Sequence, residues 1–179
     1  MTSEFVHLHN HSDYSLLDGA QRIDQLVNTI DDLNMDSVAL TEHGNMFSVL
    51  PYYKQAKKAG IKPIIGCEIY VAVGSRFEKK ARSDGGWGNN HLILLAQNFT
   101  GYRNLMKLVT AGYLEGFYYR PRIDMDLLRE YSEGLICMSA CLKGVVPEKM
   151  LKGDYEGAKK EALLFSEIFQ DRYYLEIQN

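Results

Sequence analysis

Long apolar runs, a disulfide framework and an excess of basic charge are all missing from this sequence, and each absence removes a class of protein. No stretch approaches the roughly 20 apolar residues that a membrane-spanning helix needs, and the start of the chain shows no basic-then-apolar leader. The three cysteines, Cys67, Cys137 and Cys141, are odd in number, and three residues separate the last two. Neither a disulfide scaffold nor a CxxC zinc hook is indicated, and a reducing cytoplasm is the expected compartment. A net charge of −3 and a pI near 6.0 provide no global field for nucleic acid. The lysines at 54, 57, 58 and 62, and the basic group Arg76, Lys79, Lys80 and Arg82, read as solvated faces or loops. Neither GxGxxG nor GxxxxGK[ST] occurs, and Ser139 lacks a nucleophile-elbow context, so a Rossmann site, a P-loop and serine hydrolysis are all disfavoured.

What is present is an ordinary globular composition, 46% hydrophobic and 24% charged over 179 residues, enough for one domain with a real core. Apolar, β-rich runs alternate with helical patterns. Strands are expected at 5–10, 37–41, 62–73, 90–96, 135–139 and 173–177, with Gly66 marking a bulge or a close backbone approach. A helix is expected over 21–33, carrying the stripe Ile23, Leu26, Val27, Ile30 and Leu33, with Asn34 at a left-handed cap. Another opens at Pro51 and closes at Gly60. A third is capped by Thr100 and turns Leu105, Met106, Leu108 and Val109 inward; two more are capped by Asp124 and Asp154. Residues 74–88 show no periodicity and are expected to form an exposed, mobile loop that contributes little to stability. Alternating strands and helices argue for an α/β fold with a parallel sheet, and six strands suggest a small barrel or part of one.

The chemistry-bearing residues gather at strand ends, where parallel α/β folds place their ligands. His7, His9 and His11 alternate, so a regular strand would point all three imidazoles to one side. Such a strand end is either a metal site or merely solvated and histidine-rich. Glu42 and His43 end the next strand, Glu68 lies inside an apolar one, and Cys141 follows the fifth; His91, at the opening of its strand, is the awkward member. Imidazole, carboxylate and thiolate form the ligand set of zinc and its neighbours. Taken alone, His43 reads as a loop histidine, Asp18-Gly19 as a turn before a helix, and Cys137 as core. A carboxylate inside an apolar strand such as Glu68 needs a partner.

The segments HLHNHSDYSLLDG, ALTEHGNM, GIKPIIGCEIYV, NNHLILLA, GFYYRPRID and MSACLKG, in this order over almost the whole chain, resemble the PHP (polymerase and histidinol phosphatase) domain. GFYYRPRID and the LLDG ending resemble the branch carried at the N-terminus of bacterial replicative DNA polymerase III alpha subunits. That resemblance implies a distorted, seven-stranded β/α barrel with up to three divalent ions (zinc, manganese or magnesium) at its strand ends. By position it implies His7, His9, Asp18, His43, Glu68, His91 and Cys141 as metal ligands. Glu68 would bridge two ions and act with His43 in catalysis, and His11 would stand behind the ligands. The family's last motif, an aspartate and a histidine two apart, is expected downstream of Asn179. Residues 1–179 therefore read as a single PHP domain, in its N-terminal portion.

The implied activity is metal-assisted phosphoester hydrolysis, on a 3′ nucleotide end or released pyrophosphate, within a DNA-directed DNA polymerase. DNA and other replicase subunits would be partners through the parent protein. The competing readings are a scaffold that docks a proofreading exonuclease, and a stand-alone phosphatase acting on a substrate such as histidinol phosphate. The hydrolase and scaffold roles can coexist in one protein; the retained ligands argue for hydrolysis over scaffolding alone, and the polymerase-type motifs argue against the stand-alone phosphatase.

Overall fold

The computed structural model describes residues 5–80 and 88–178. In chain order these form α1 (Ile23–Asp32), β1 (Ser37–Leu40), α2 (Val49–Lys58), β2 (Lys62–Ala72), β3 (Asn89–Ala96), α3 (Phe99–Leu114), β4 (Arg122–Ile123), α4 (Met125–Glu130), β5 (Leu135–Met138), α5 (Val145–Leu151), α6 (Tyr155–Phe169) and β6 (Tyr173–Tyr174). Asn34 takes the left-handed conformation expected after α1, with φ 55°. Asp124 and Asp154 cap α4 and α6 through Leu127 N–H and Gly157 N–H. Asn98, not Thr100, caps α3: its side chain accepts from Gly101 N–H, which starts the helix at Phe99. Leu105 and Leu108 are fully buried on α3, whereas Met106 is 38% exposed and faces outward.

The α/β class holds, but the sheet is mixed rather than parallel. Its strands run in the order β1-β2-β3-β5-β6, with β4 paired to β2 off that path. Six strands stand among the described residues, against the seven that the resemblance implied. β1, β4 and β6 run parallel to their neighbours; β3 runs antiparallel to both β2 and β5. The reversal follows from the connection between β2 and β3, which contains no helix among its described residues. Without a crossover helix the chain simply turns back. Gly66 sits where the strands pack closely: a Cβ there would lie 2.7 Å from Leu94 O.

Alternation along β3 separates two layers. Leu92 and Leu94 join Cys67, Ile69, Val71 and Cys137 beneath α3, α4 and α6, forming the main core with Leu105, Leu128, Phe165 and Phe169. A second cluster packs α1 and α2 on β1 through Ile30, Val38, Leu40 and Tyr52. The opposite face of the sheet carries a smaller cluster of Ala39, Ile93, Leu95, Met138 and Ala140. Glu68 pairs with Ile93, and Tyr70 with His91, so these side chains share that inner face.

Of the 74–88 loop, residues 81–87 lie outside the described residues. The described part is tied down, contrary to the expectation of a loose loop. Arg76 reaches Asp124 at 2.9 Å and Glu115 at 2.6 Å, and Lys79 Nζ donates to Glu115 O and Phe117 O, both at 2.7 Å. Arg122 is 2% exposed and donates to the carbonyls of Gly116, Arg76 and Glu78.

Candidate metal centre

Glu68 is the hub of the polar cluster on the inner face. It is 1% exposed, in the interior of β2, and its backbone N–H bonds to Glu42 O while its carbonyl accepts from Gly44 N–H. That bridge continues the β1–β2 register past the end of β1 to His43 and sets its ring beside Glu68, with Nδ1 2.7 Å from Oε1. His91 Nδ1 is also 2.7 Å from Oε1, and Cys141 Sγ lies 3.7 Å from that same nitrogen. The opening of β3 lies next to the carboxyl ends of β2 and β5 because β3 is reversed, so His91 reaches the cluster from the start of its strand.

The histidine-rich segment meets Glu68 from the other side. It lies along β1, with Ala39 N–H donating to His7 O and Thr41 N–H to Asn10 O. It is not a regular strand, however, and bends at His9. The bend breaks the expected alternation. His9 Nε2 and His11 Nε2 approach Glu68 Oε2 at 2.9 and 3.6 Å, while His7 is exposed, its ring 4.8 Å from that of Phe5. His7 therefore stands outside the cluster that it was expected to join. His11, expected behind the ligands, stacks on His43 with ring centroids 3.9 Å apart and faces the shared carboxylate. Asp18 is largely exposed and reaches His43 Nε2 at 2.9 Å from a loop at the rim.

Two three-residue donor groups result, His9–His11–Glu68 and Glu68–His91–Cys141, each with ligand atoms within 4.8 Å of one another. Glu68 belongs to both. Four imidazole nitrogens crowd two carboxylate oxygens, so protons or cations must lie between them. Burial disfavours the charge on Glu68, yet His43, His9 and His91 hold its carboxyl well below the usual range. Burial likewise opposes charge on His9, but Glu176 and Glu68 outweigh it and raise the ring to about 9. His91 also rises to about 9 against burial, through Cys141 and Glu68, and in return draws the Cys141 thiol down. His43 is raised against burial by Glu68 and Asp18; His11 is lowered by burial and by the neighbouring His43.

One member of the cluster was missed in the sequence. Glu176 Oε1 lies 2.7 Å from His9 Nδ1, on the far side of the ring from Glu68. It sits between Leu175 and Ile177, a carboxylate in an apolar run like Glu68, and the same reasoning would have found it. Glu42 had been noted at its strand end, but it faces away from the imidazoles. Buried at 1% exposure, it accepts from Ser12 N–H and from the hydroxyls of Ser12 and Ser15, and Ser15 Oγ accepts from His43 N–H. Glu42 thus fastens the loop bearing His11 and Asp18 to the sheet.

The donor chemistry suits divalent cations: nitrogen, carboxylate oxygen and thiol sulfur converge. Within and beside it, His11 Nδ1 and Glu176 Oε2 are buried without hydrogen-bond partners. From the cluster a cleft of about 1280 Å³ opens to the surface, lined in part by Asp18, His43, Tyr70, His91, Tyr119 and Arg120. No described helix is long and apolar enough to cross a membrane.

Residues 7–179 match the family model of the PHP domain, and the chain belongs to that family. Among curated proteins it is similar to the DNA polymerase III subunit alpha of Borreliella burgdorferi, with 56% identity over 98% of this chain and 15% of that protein. The subunits of Treponema pallidum and Thermus aquaticus are 49% and 44% identical, again over 98% of this chain and 15% of theirs. The chain thus spans about 15% of the length of these curated relatives. Among solved structures, a two-domain protein from Bacteroides vulgatus, described as containing a predicted PHP-like metal-dependent phosphoesterase, has 20% identity and a TM-score of 0.44, over 74% of this chain and 33% of that one.

Proposed function

We propose that this chain is the PHP domain of a bacterial replicative DNA polymerase III alpha subunit, acting in the cytoplasm, and that its cluster holds divalent cations for phosphoester hydrolysis. The observation that carries this reading is the sharing of Glu68 by two donor groups. One buried carboxylate serving two adjacent sets of nitrogen and sulfur ligands is what a bridged pair of ions requires. His9 and His11 would hold one ion with Glu68, and His91 and Cys141 a second with the same carboxylate, while His43, bonded to Asp18, stands beside Glu68 at the rim. His7 stands outside this set. The thiol and imidazoles favour zinc, whereas the carboxylates also accept manganese or magnesium.

Such cations supply electrophilic chemistry: they neutralise phosphate charge and make water a better nucleophile at neutral pH. The chain's own residues do the rest. Glu68 fixes the spacing between the two donor groups. Glu176 holds the His9 ring by Nδ1 so that Nε2 faces inward, the arrangement by which an outer carboxylate orients an imidazole ligand. Glu42 keeps the rim loop, and with it Asp18, in place. DNA and the other replicase subunits are the partners this reading implies, with a proofreading exonuclease as a further one. Identities of 44–56% to polymerase subunits favour it over a stand-alone phosphatase.

The test is metal analysis and hydrolysis of bis(p-nitrophenyl) phosphate by the chain and by Glu68→Ala. The expected result is bound divalent metal and metal-dependent turnover, both reduced by about 100-fold or more in the variant, since the bridging ligand is gone. Unchanged metal content in Glu68→Ala would sink the proposal.

A further inference from the structure

The cleft leading to the cluster, about 1280 Å³, exceeds the roughly 300–1,000 Å³ that encloses a typical small ligand. A bare phosphate or pyrophosphate would fill little of it. One wall is the turn through Tyr118, Tyr119 and Arg120, and the backbone there is held in an unfavourable state. Tyr119 has φ 57°, a left-handed conformation that bulky residues rarely adopt, and the residue is 62% exposed. Four contacts hold the turn. The Tyr118 ring packs edge-on against Tyr119 at 4.7 Å and lies 5.2 Å from the buried Arg122 guanidinium. Tyr118 N–H donates to Arg120 O. Pro121 fits against Gly44, next to His43, so closely that a Cβ on Gly44 would lie 2.8 Å from both Pro121 Cγ and Tyr70 Cε2. Gly44 has φ 64°, so glycine answers both demands at that position.

The turn thereby sets Tyr119 and Arg120 on the wall of the cleft. The Arg120 guanidinium lies 5.6 Å from the centroid of the Tyr70 ring, which is itself 5.1 Å from the His91 ring. Arg120 is thus one aromatic ring away from the imidazoles, and Tyr119 lines the same cleft. Lys143 faces it from the loop after β5.

We propose that Tyr119 and Arg120 are specificity residues that select a nucleoside phosphoester: the base stacks on Tyr119 and Arg120 takes the phosphate adjacent to the one held at the cluster. This rests on the phosphoester reading above and narrows it. Pyrophosphate offers nothing to an aromatic ring displayed at a strained backbone position, whereas every nucleobase has a π face, and guanidinium matches phosphate geometry. The shared chemistry is that of a mononucleotide and of a single-strand end.

The test measures binding of a fluorescent thymidine decanucleotide to the chain in chelator, so that it reads affinity independently of metal and turnover. Tyr119→Gly removes the ring while relieving the left-handed backbone, so its melting temperature should equal or exceed that of the parent. Its affinity should fall about tenfold, within the range of one base–aromatic stack, and Tyr119→Phe should restore it. Arg120→Gln should make the slope of log affinity against log salt shallower by about 0.7, one phosphate contact on a single strand. A strand with abasic sites should bind parent and Tyr119→Gly alike, and thymidine monophosphate tells a mononucleotide from a strand end by whether it competes at the same Tyr119-dependent site. No binding by the parent, equal affinity of parent and Tyr119→Gly for the decanucleotide, or an equal loss on the abasic strand would overturn the proposal. Hydrolysis of small phosphoesters together with any of those results leaves the metal reading standing. The expected binding pattern without hydrolysis does the reverse.

Discussion

Two polar knots lie near β2, and they differ in how their charges are satisfied. Around Arg122, three backbone carbonyls receive the guanidinium, and Asp124 accepts from Arg76 N–H, the Arg76 guanidinium and Leu127 N–H. Each charge has partners of its own. Around Glu68, four imidazoles compete for one carboxylate, and buried His11 Nδ1 and Glu176 Oε2 have none. Buried polar groups are normally paired because an unmet one costs about 1–3 kcal/mol. A completed network of that kind stabilises a fold, whereas an over-supplied and partly orphaned one is arranged for something that binds.

Beyond the loss expected for Glu68→Ala, the comparison breaks first at Arg122. Arg122→Met should strand carbonyls at Gly116 and Glu78 and lower unfolding free energy by about 3 kcal/mol. Folded protein should still take up its full complement of metal. Urea denaturation with metal analysis checks both, and a loss below about 1 kcal/mol would mean the guanidinium is replaceable by packing alone.

Glu176→Gln sharpens the comparison from the other side. Metal affinity should drop about tenfold, worth roughly 1.4 kcal/mol, because the carboxylate behind His9 is gone. Stability in chelator should hardly change. The opposite pattern, with intact affinity and a lower denaturation midpoint, would place Glu176 with the structural knot.

The smallest effect is a pH dependence at Asp124. Burial would raise its carboxyl, but the bonds from Arg76 and Leu127 hold it below the usual value. The folded value lies below the unfolded one of about 3.9, so this stability is present above that pH and is lost as pH falls through the folded value. Asp124→Asn, which can still cap α4, should cost on the order of 1 kcal/mol at neutral pH and flatten the acid limb of the stability curve. An unchanged acid limb would show that other carboxylates set it.

The sequence by itself determined the α/β class, the stripe of α1, the caps of α4 and α6, and most of the residues that meet at Glu68. These follow from local periodicity, cap chemistry, and the cost of a carboxylate inside an apolar strand. The direction of β3 belonged to the tertiary structure, since strand orientation depends on the connection and not on the pattern within the strand. That reversal is also what brings His91, at a strand opening, beside two strand ends. The separation of His7 from His9 and His11 was likewise decided by folding, because a bend at His9 overrides an alternation that holds only for a regular strand. Glu176 lies 167 residues from His9 in the chain, and only the packing of the final segment against the first brings the two within 2.7 Å.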